Sequence, residues 1–262
     1  MKIAAVGDNC IDYYLATGES YPGGNSVNVS VYITRLGQQS SYTGAVGNDA
    51  NGKLLCTALK NKGVDISHIH VKEGTTAITE VELVEGDRVF ASYNAGVMKH
   101  FQLTHQDIDF LCEHDLIVTA QWGMVENELE QLKKRGKLIA FDFADKFSGK
   151  VLDTAIPYTD YAFFSCDEGD SEILRQFMQK MHARGVKIVT VTLGKKGSIA
   201  YDGTSFQIGE IVPCAVKDTM GAGDSFIAGF LVALLKGHAL SECMRQGAKS
   251  SSITLQYFGA WH

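Results

Sequence analysis

Proline is nearly missing: 3 residues in a chain of 262, against about 13 expected at ~5% average usage. A collagen-like chain is thereby excluded, although glycine is plentiful. No Cys-x-x-Cys pair occurs among Cys10, Cys56, Cys112, Cys166, Cys214 and Cys243, and no secretion signal opens the sequence. The cysteines therefore read as reduced thiols, and the expected location is cytoplasmic. Long apolar runs are also lacking. The longest, Phe226–Leu235, cannot cross a ~30 Å hydrocarbon layer, so no membrane partner is expected. Nor is there an excess of positive charge: the formal net charge is −6 and no dense Lys/Arg run appears, which gives no reason for nucleic-acid binding.

Against these absences, glycine supplies 27 positions, where roughly 18 would follow from ~7% usage. Hydrophobic residues at 45% and charged residues at 21% suit an ordinary globular core and argue against disorder or coiled coil. The length is about 1.7 times a ~150-residue domain.

Apolar β-like runs alternate with amphipathic stretches. Strands are expected at Lys2–Val6, Ser40–Val46, Asp115–Ala120, Lys137–Phe143, Tyr161–Ser165 and Lys187–Leu193. Helices are expected at Ser26–Leu36, Lys53–Lys62, Glu126–Arg135 and Ser171–Arg184, closed by Gly37, Gly63, Gly136 and Gly185. Such alternation means βαβ units and a mostly parallel sheet covered on both faces. Residues 75–95 break the pattern with two strand-like runs around Glu85-Gly86-Asp87. Ala77, Thr79, Val81 and Leu83 share one face and Glu80 and Glu82 the other, the pattern of a hairpin with one wet face. That hairpin, with residues 10–20, is expected to form a small lid on a single domain spanning 1–262. Its exposed edge invites pairing with a second copy as a homodimer.

Three motifs look chemical and read better as structure. Gly47-Asn48-Asp49-Ala50-Asn51-Gly52-Lys53 has phosphate-loop spacing, but Leu54 stands where a Mg²⁺-binding hydroxyl is required. His68 and His70 share a strand face without further metal ligands nearby in the sequence. Gly24-Asn25-Ser26-Val27-Asn28 resembles a nucleophile elbow, but Asn28 replaces its last glycine.

The strongest local pattern is Asp218-Thr219-Met220-Gly221-Ala222-Gly223-Asp224-Ser225-Phe226. Small residues at Gly221, Ala222 and Gly223 lead directly into an apolar helix. Their size lets an anion approach the unpaired N–H groups of the first turn. Asp224 then lies beside that anion, against its own electrostatic preference, which suits a general base for an attacking hydroxyl. The alternative is an Asp that caps the helix. Thr192, Gly194 and Gly197 sit at a strand's carboxyl end, where parallel sheets bind ligands, and could meet a nucleotide; a plain β-turn is the commoner explanation. Asp8, Asn9 and Asp12 after the first strand, with Gly23, Gly24, Asn25 and Asn28 before the next helix, suit a polyhydroxyl ligand. Capping by Asn25 would explain one of them.

These residues together resemble the ribokinase-like carbohydrate kinase family over essentially the whole chain. Asp218–Leu231 matches its C-terminal motif, and Gly23-Gly24, Asn28, Gly37 and Gly47 its N-terminal one, with Ser26 where a smaller residue or Pro is usual. The resemblance implies a three-layer α/β/α sandwich with a mostly parallel central sheet and a small β-sheet lid. It also implies ATP as donor with Mg²⁺, while a monovalent cation stays open. Asp224 is implied as base, the Gly221–Gly223 amides as anion hole with Gly221 and Gly223 also meeting the nucleotide, and Asp12, Gly24 and Asn28 as sugar ligands. Two departures stand out. Ser165-Cys166-Asp167-Glu168 keeps the Glu of a common Asn-x-x-Glu but not its Asn, leaving Glu168 to meet the metal through water. Asp142-Phe143-Ala144-Asp145-Lys146 lacks the Asn and Arg often found there, with Lys146 available as the charge. Within the family the likeness is greatest to bacterial kinases that phosphorylate the 6-hydroxyl of a glycated amino acid, fructoselysine. It rests on Gly7-Asp8-Asn9-Cys10, Gly23-Gly24-Asn25, Val64–His68, Phe141-Asp142-Phe143 and Gln256–Trp261. Kinases of other sugars (fructose, tagatose-type) or of nucleosides, and a non-catalytic sugar or nucleotide sensor, are the competing expectations.

Overall fold

The computed structural model describes residues 1–84 and 87–261. The turn expected at Glu85-Gly86-Asp87 falls on residues 85–86 and lies outside the described residues, as does the side chain of Leu83. The strands are β1 (Lys2–Val6), β2 (Cys10–Tyr14), β3 (Glu19–Gly23), β4 (Gln39–Gly47), β5 (Ile69–Lys72), β6 (Ile78–Val84) and β7 (Asp87–Asn94). They continue as β8 (Leu116–Ala120), β9 (Leu138–Asp142), β10 (Tyr161–Ser165), β11 (Ile188–Thr192), β12 (Ser198–Tyr201) and β13 (Phe206–Gly209). The helices are α1 (Asn25–Arg35), α2 (Ala50–Asn61), α3 (His105–Leu111), α4 (Leu129–Lys134), α5 (Lys150–Ala155), α6 (Glu172–Ala183), α7 (Ala222–Leu235) and α8 (Leu240–Thr254).

Among the described residues these strands make two sheets. The larger runs β13-β12-β11-β10-β9-β8-β1-β4-β5, parallel from β11 to β5 and antiparallel at β12 and β13. The smaller runs β3-β2-β6-β7, with antiparallel outer pairs and a parallel β2–β6 pair. Ala77, Thr79 and Val81 are buried and Glu82 is exposed, so the wet-faced hairpin holds where its side chains are described.

Alternation along each strand builds the layers, because successive side chains leave a strand on opposite faces. Ile3, Leu116, Ala140 and Phe163 enter one core, with side chains of α1, α2, α7 and α8. Their neighbours Ala4, Ile117, Phe141 and Phe164 enter the other, with side chains of α3, α4, α5 and α6. The second core carries a chain of stacked rings, Phe141–Phe143–Phe164–Phe147, with centroids 4.2, 5.0 and 5.3 Å apart. A three-layer α/β/α sandwich results.

The helix stops behave as their chemistry requires. Gly37, Gly63, Gly136 and Gly185 all take left-handed φ, between 75° and 112°, where a Cβ would be strained. Three helix starts differ from expectation, and the one expected at Lys53 begins at Ala50, where Asp49 caps it. The one expected from Glu126 starts only at Leu129, because 126–128 form a turn and the first apolar anchors are Leu129 and Leu132. The apolar run Phe226–Leu235 lies within a helix that starts earlier, at Ala222, launched by Gly221 at φ 72°. Helix α8 carries little sequence signal, since its buried side includes Gly247, Ser250, Ser252 and Thr254 rather than an apolar stripe. It packs closely on α7: a Cβ on Gly229 would lie 2.6 Å from the Gln246 carbonyl oxygen.

Candidate active site

The site forms at the carboxyl ends of β1 and β9, where α1 and α7 begin. After β1 the chain turns at Gly7, whose φ is 124° and whose Cβ would lie 2.4 Å from Gly123 Cα. This turn presents Asp8, which is 7% exposed. Its carboxylate accepts from the Asn25 backbone N–H at 2.7 Å and the Ser26 hydroxyl at 3.1 Å. Helix α1 has Gly24 at its N-cap position, with no side-chain cap. Asp8 thus reaches across from another element to satisfy one of the helix's open donors. Loss of water raises the Asp8 pKa despite these bonds.

Asn25 is therefore no cap. Its amide Nδ2 donates to Asp142 Oδ2 at 2.6 Å and to Asp224 Oδ1 at 2.7 Å. Asn28, one turn further along the same face, donates from Nδ2 to Asp224 Oδ2 at 2.7 Å. Both oxygens of Asp224 are thus held by amides from α1. Asp224 sits three positions past the N-cap Gly221, and no side chain caps α7; the capping alternative fails for it. Its pKa stands well above the usual carboxylate range. Loss of water is the main cause, the Asn28 bond opposes it, and the charges of Asp142, Asp8 and Asp12 add to it.

Asp142 belongs to this cluster, although sequence reasoning did not single it out. It closes β9, and its pKa is pushed up to about 6, first by burial, against bonds from the Ala144 N–H and Asn25. The available signal was an acidic residue ending a buried strand at the ligand-binding edge of a parallel sheet. Asp12 is 3% exposed and accepts from the Cys10 thiol at 3.2 Å. Gly23 and Gly24 are small for packing: a Cβ would lie 2.3 Å from Asp12 Oδ2 on the first and 2.5 Å from Asn9 Cα on the second. Asn9 stands apart beneath the site. Its Nδ2 donates to the Tyr42 hydroxyl and the Ala45 carbonyl, both at 2.8 Å.

Beside Asp224 lies a cavity of about 590 Å³, within the range of small-molecule sites. Thr192, Gly194, Gly197, Ala222 and Gly223 line it, and Val212, Val216, Phe226 and Leu255 give it apolar walls. Gly223 has no atom within 4 Å of where a Cβ would stand, so its backbone is open. Gly221 differs: a Cβ there would strike the Tyr32 hydroxyl at 2.4 Å, so its role is to start the helix within a packed corner. Asp218 fixes the loop from below. It accepts from the Met220 and Gly259 N–H groups at 2.8 Å each, and from the Tyr14 hydroxyl of the small sheet at 3.5 Å.

Glu168 is exposed, and its backbone carbonyl, with that of Asp167, accepts from Lys196 Nζ at 2.9 Å. Among the described residues no three His, Cys, Asp or Glu side chains converge on a metal position. One exposed carboxylate fits a hydrated Mg²⁺ carried by nucleotide phosphates. Lys146 is exposed and paired with Asp145 at 2.8 Å. His68 and His70 both bond to Asp107, at 2.8 and 2.9 Å, and Asp49 caps α2 by accepting from the Gly52 N–H at 2.8 Å, so both motifs are structural.

A carboxylate held by two amides, set between a buried polar pocket and the open first turn of an apolar helix, suits phosphoryl transfer. In agreement, the profile of the pfkB family carbohydrate kinases matches residues 3–262, and the chain belongs to that family. It is a phosphotransferase with an alcohol group as acceptor. Among its relatives, a fructoselysine 6-kinase of Shigella flexneri is 47% identical over 259 residues, 99% of each chain. A fructosamine kinase of Bacillus subtilis is 37% identical over 265 residues, 100% of this chain and 93% of that one. The structure of Arabidopsis thaliana ribokinase complexed with ribose and ATP superposes with a TM-score of 0.89 at 24% identity, covering 98% of this chain and 93% of that one. No helix among the described residues is long and apolar enough to cross a membrane.

Proposed function

We propose that the chain transfers the γ-phosphoryl group of ATP to the 6-hydroxyl of fructoselysine. The observation that carries the reading is Asp224, oriented by Asn25 and Asn28 one residue from the open Gly223 backbone. The sugar lies among Asp8, Asp12 and Asn28 with its hydroxyl toward Asp224. As the new P–O bond forms, the hydroxyl proton passes to Asp224 and ADP leaves. The open N–H groups of the first turn of α7 receive the charge of the transferring group. Glu168 would hold Mg²⁺ through water, and the bound ion would supply neutralisation of phosphate charge. The amino-acid end of the substrate has a matching surface: Trp122 and Met124, 49% and 48% exposed, flank Gly123 where it meets Gly7. Aliphatic chain laid there would be withdrawn from water.

The test is a substrate panel read by ADP release. The expected result is a kcat/KM for fructoselysine at least about tenfold above fructose or tagatose, the discrimination that apolar contacts supply. Activity confined to nucleosides would reject the substrate, and binding of sugar and ATP without ADP formation would make the chain a sensor.

A further inference from the structure

We propose that Trp261 is a positioning residue for the catalytic base: its indole N–H fixes which way the Asn28 amide faces and so holds the Asn28 N–H₂ on Asp224. Two hydrogen bonds share the Asn28 side chain. Trp261 Nε1 lies 2.8 Å from Asn28 Oδ1, and Asn28 Nδ2 lies 2.7 Å from Asp224 Oδ2. An indole nitrogen can only donate. The Asn28 atom facing it must therefore be the oxygen, and the atom left for Asp224 must be the nitrogen. Asn28 is 3% and Trp261 6% exposed, so water is poorly placed to replace the indole. Without that donor, a protonated Asp224 could pair with either end of the amide. With it, only the end that favours the ionised carboxylate is presented.

The segment around Trp261 is built to hold this position. The Gly259 N–H donates to Asp218, and the Ala260 carbonyl accepts from the Tyr32 hydroxyl. Ala260 also packs where a Cβ on Gly221 would come within 2.9 Å. The same short stretch thus braces the start of α7 and orients the partner of the base that α7 carries. The titratable groups facing Asp224 are Asp142 at the end of β9, Asp8 and Asp12 beside β1 and β2, and Tyr32 on α1. None of them supplies positive charge, so amide donors provide the bonds that stabilise its ionised form.

This inference rests on the kinase reading, and its test separates the two. Trp261→Phe removes the donor, and replacement by the benzothienyl analogue, with sulfur in place of the indole N–H, removes it while keeping the ring's shape. Both should lose about threefold to tenfold in kcat near neutral pH, the scale of one buried hydrogen bond. The acid limb of the pH–rate profile should move to higher pH, because an Asp224 with a weaker donor ionises later, and sugar KM should change less than kcat. The Asn28 side-chain amide resonances, read by NMR with no substrate present, should shift and broaden. An analogue-bearing protein with an unchanged pH profile and unchanged Asn28 resonances would overturn the inference, as would a change in melting temperature alone. A wild-type chain that phosphorylates no sugar would instead defeat the kinase reading, and leave the NMR result to decide the role of Trp261.

Discussion

Two carboxylates at opposite ends of the same sheet are treated in opposite ways. Asp160 precedes β10 at its amino end and is 1% exposed. It bonds to Lys133, to Lys187 at 3.0 Å and to the Ile139 N–H at 2.9 Å. Asp224 at the other end is half-buried, accepts from the Asn25 and Asn28 amides, and faces three further carboxylates. Where a carboxylate only has to hold structure, the chain surrounds it with cations. At Asp224, which we propose takes the proton of the attacking hydroxyl, the chain supplies amides instead. An uncompensated charge cluster costs stability, and here the cost falls at the proposed proton acceptor.

Three substitutions sharpen this contrast. The largest effect is expected from Asp224→Asn: a base carries 10²–10⁴-fold in rate, so kcat should fall at least about 10²-fold with little change in sugar affinity. Its melting temperature should hold or rise, because a repelled carboxylate is removed. Near-normal turnover would end the base assignment. Asp160→Asn should do the reverse and lose about 1.5–3 kcal/mol in urea unfolding, the worth of hydrogen bonds to charged groups. Its kcat should be unaltered, and a matching fall in kcat would show the two ends to be coupled.

Asp142→Asn should give the smallest change, visible in pH dependence. Asp142 is raised to about 6, so its folded form binds a proton more tightly than its unfolded form. Its contribution to stability is present below the usual carboxylate pKa and is lost as pH rises through about 6. Its ionised form also raises Asp224. Removing it should therefore flatten stability between about pH 4 and 6 and move the acid limb of kcat/KM to lower pH, by less than about one unit. A shift toward higher pH would contradict the electrostatic account of the cluster.

Much of the fold was legible because its cues are local. A buried strand such as Tyr161–Ser165 is an apolar run, and glycine after a basic last turn marks where Asn25–Arg35 and Ala50–Asn61 stop. Helix α8 was not legible, since close contact with α7 selects small and hydroxyl side chains there. In the site, Asp224 was readable from Gly221-Ala222-Gly223 before it. The work of Asn25 was not, because an Asn at a helix start fits a cap equally well; only three dimensions show Asp8 taking that role. Asp142 and Trp261 act across 82 and 37 positions from Asp224. No spacing rule reaches so far, and partners of this kind emerge only when the sheet brings strand ends together.

The length of the central strands has a practical corollary. Strands β8 to β11 are five residues each, which at ~3.3 Å per residue sets the two ends of the sheet about 16 Å apart. Mutational effects add independently beyond roughly 7–10 Å when no partner is shared. Substitutions that raise heat tolerance at the Asp160 end and substitutions that alter activity at the Asp224 end should therefore combine additively in one chain.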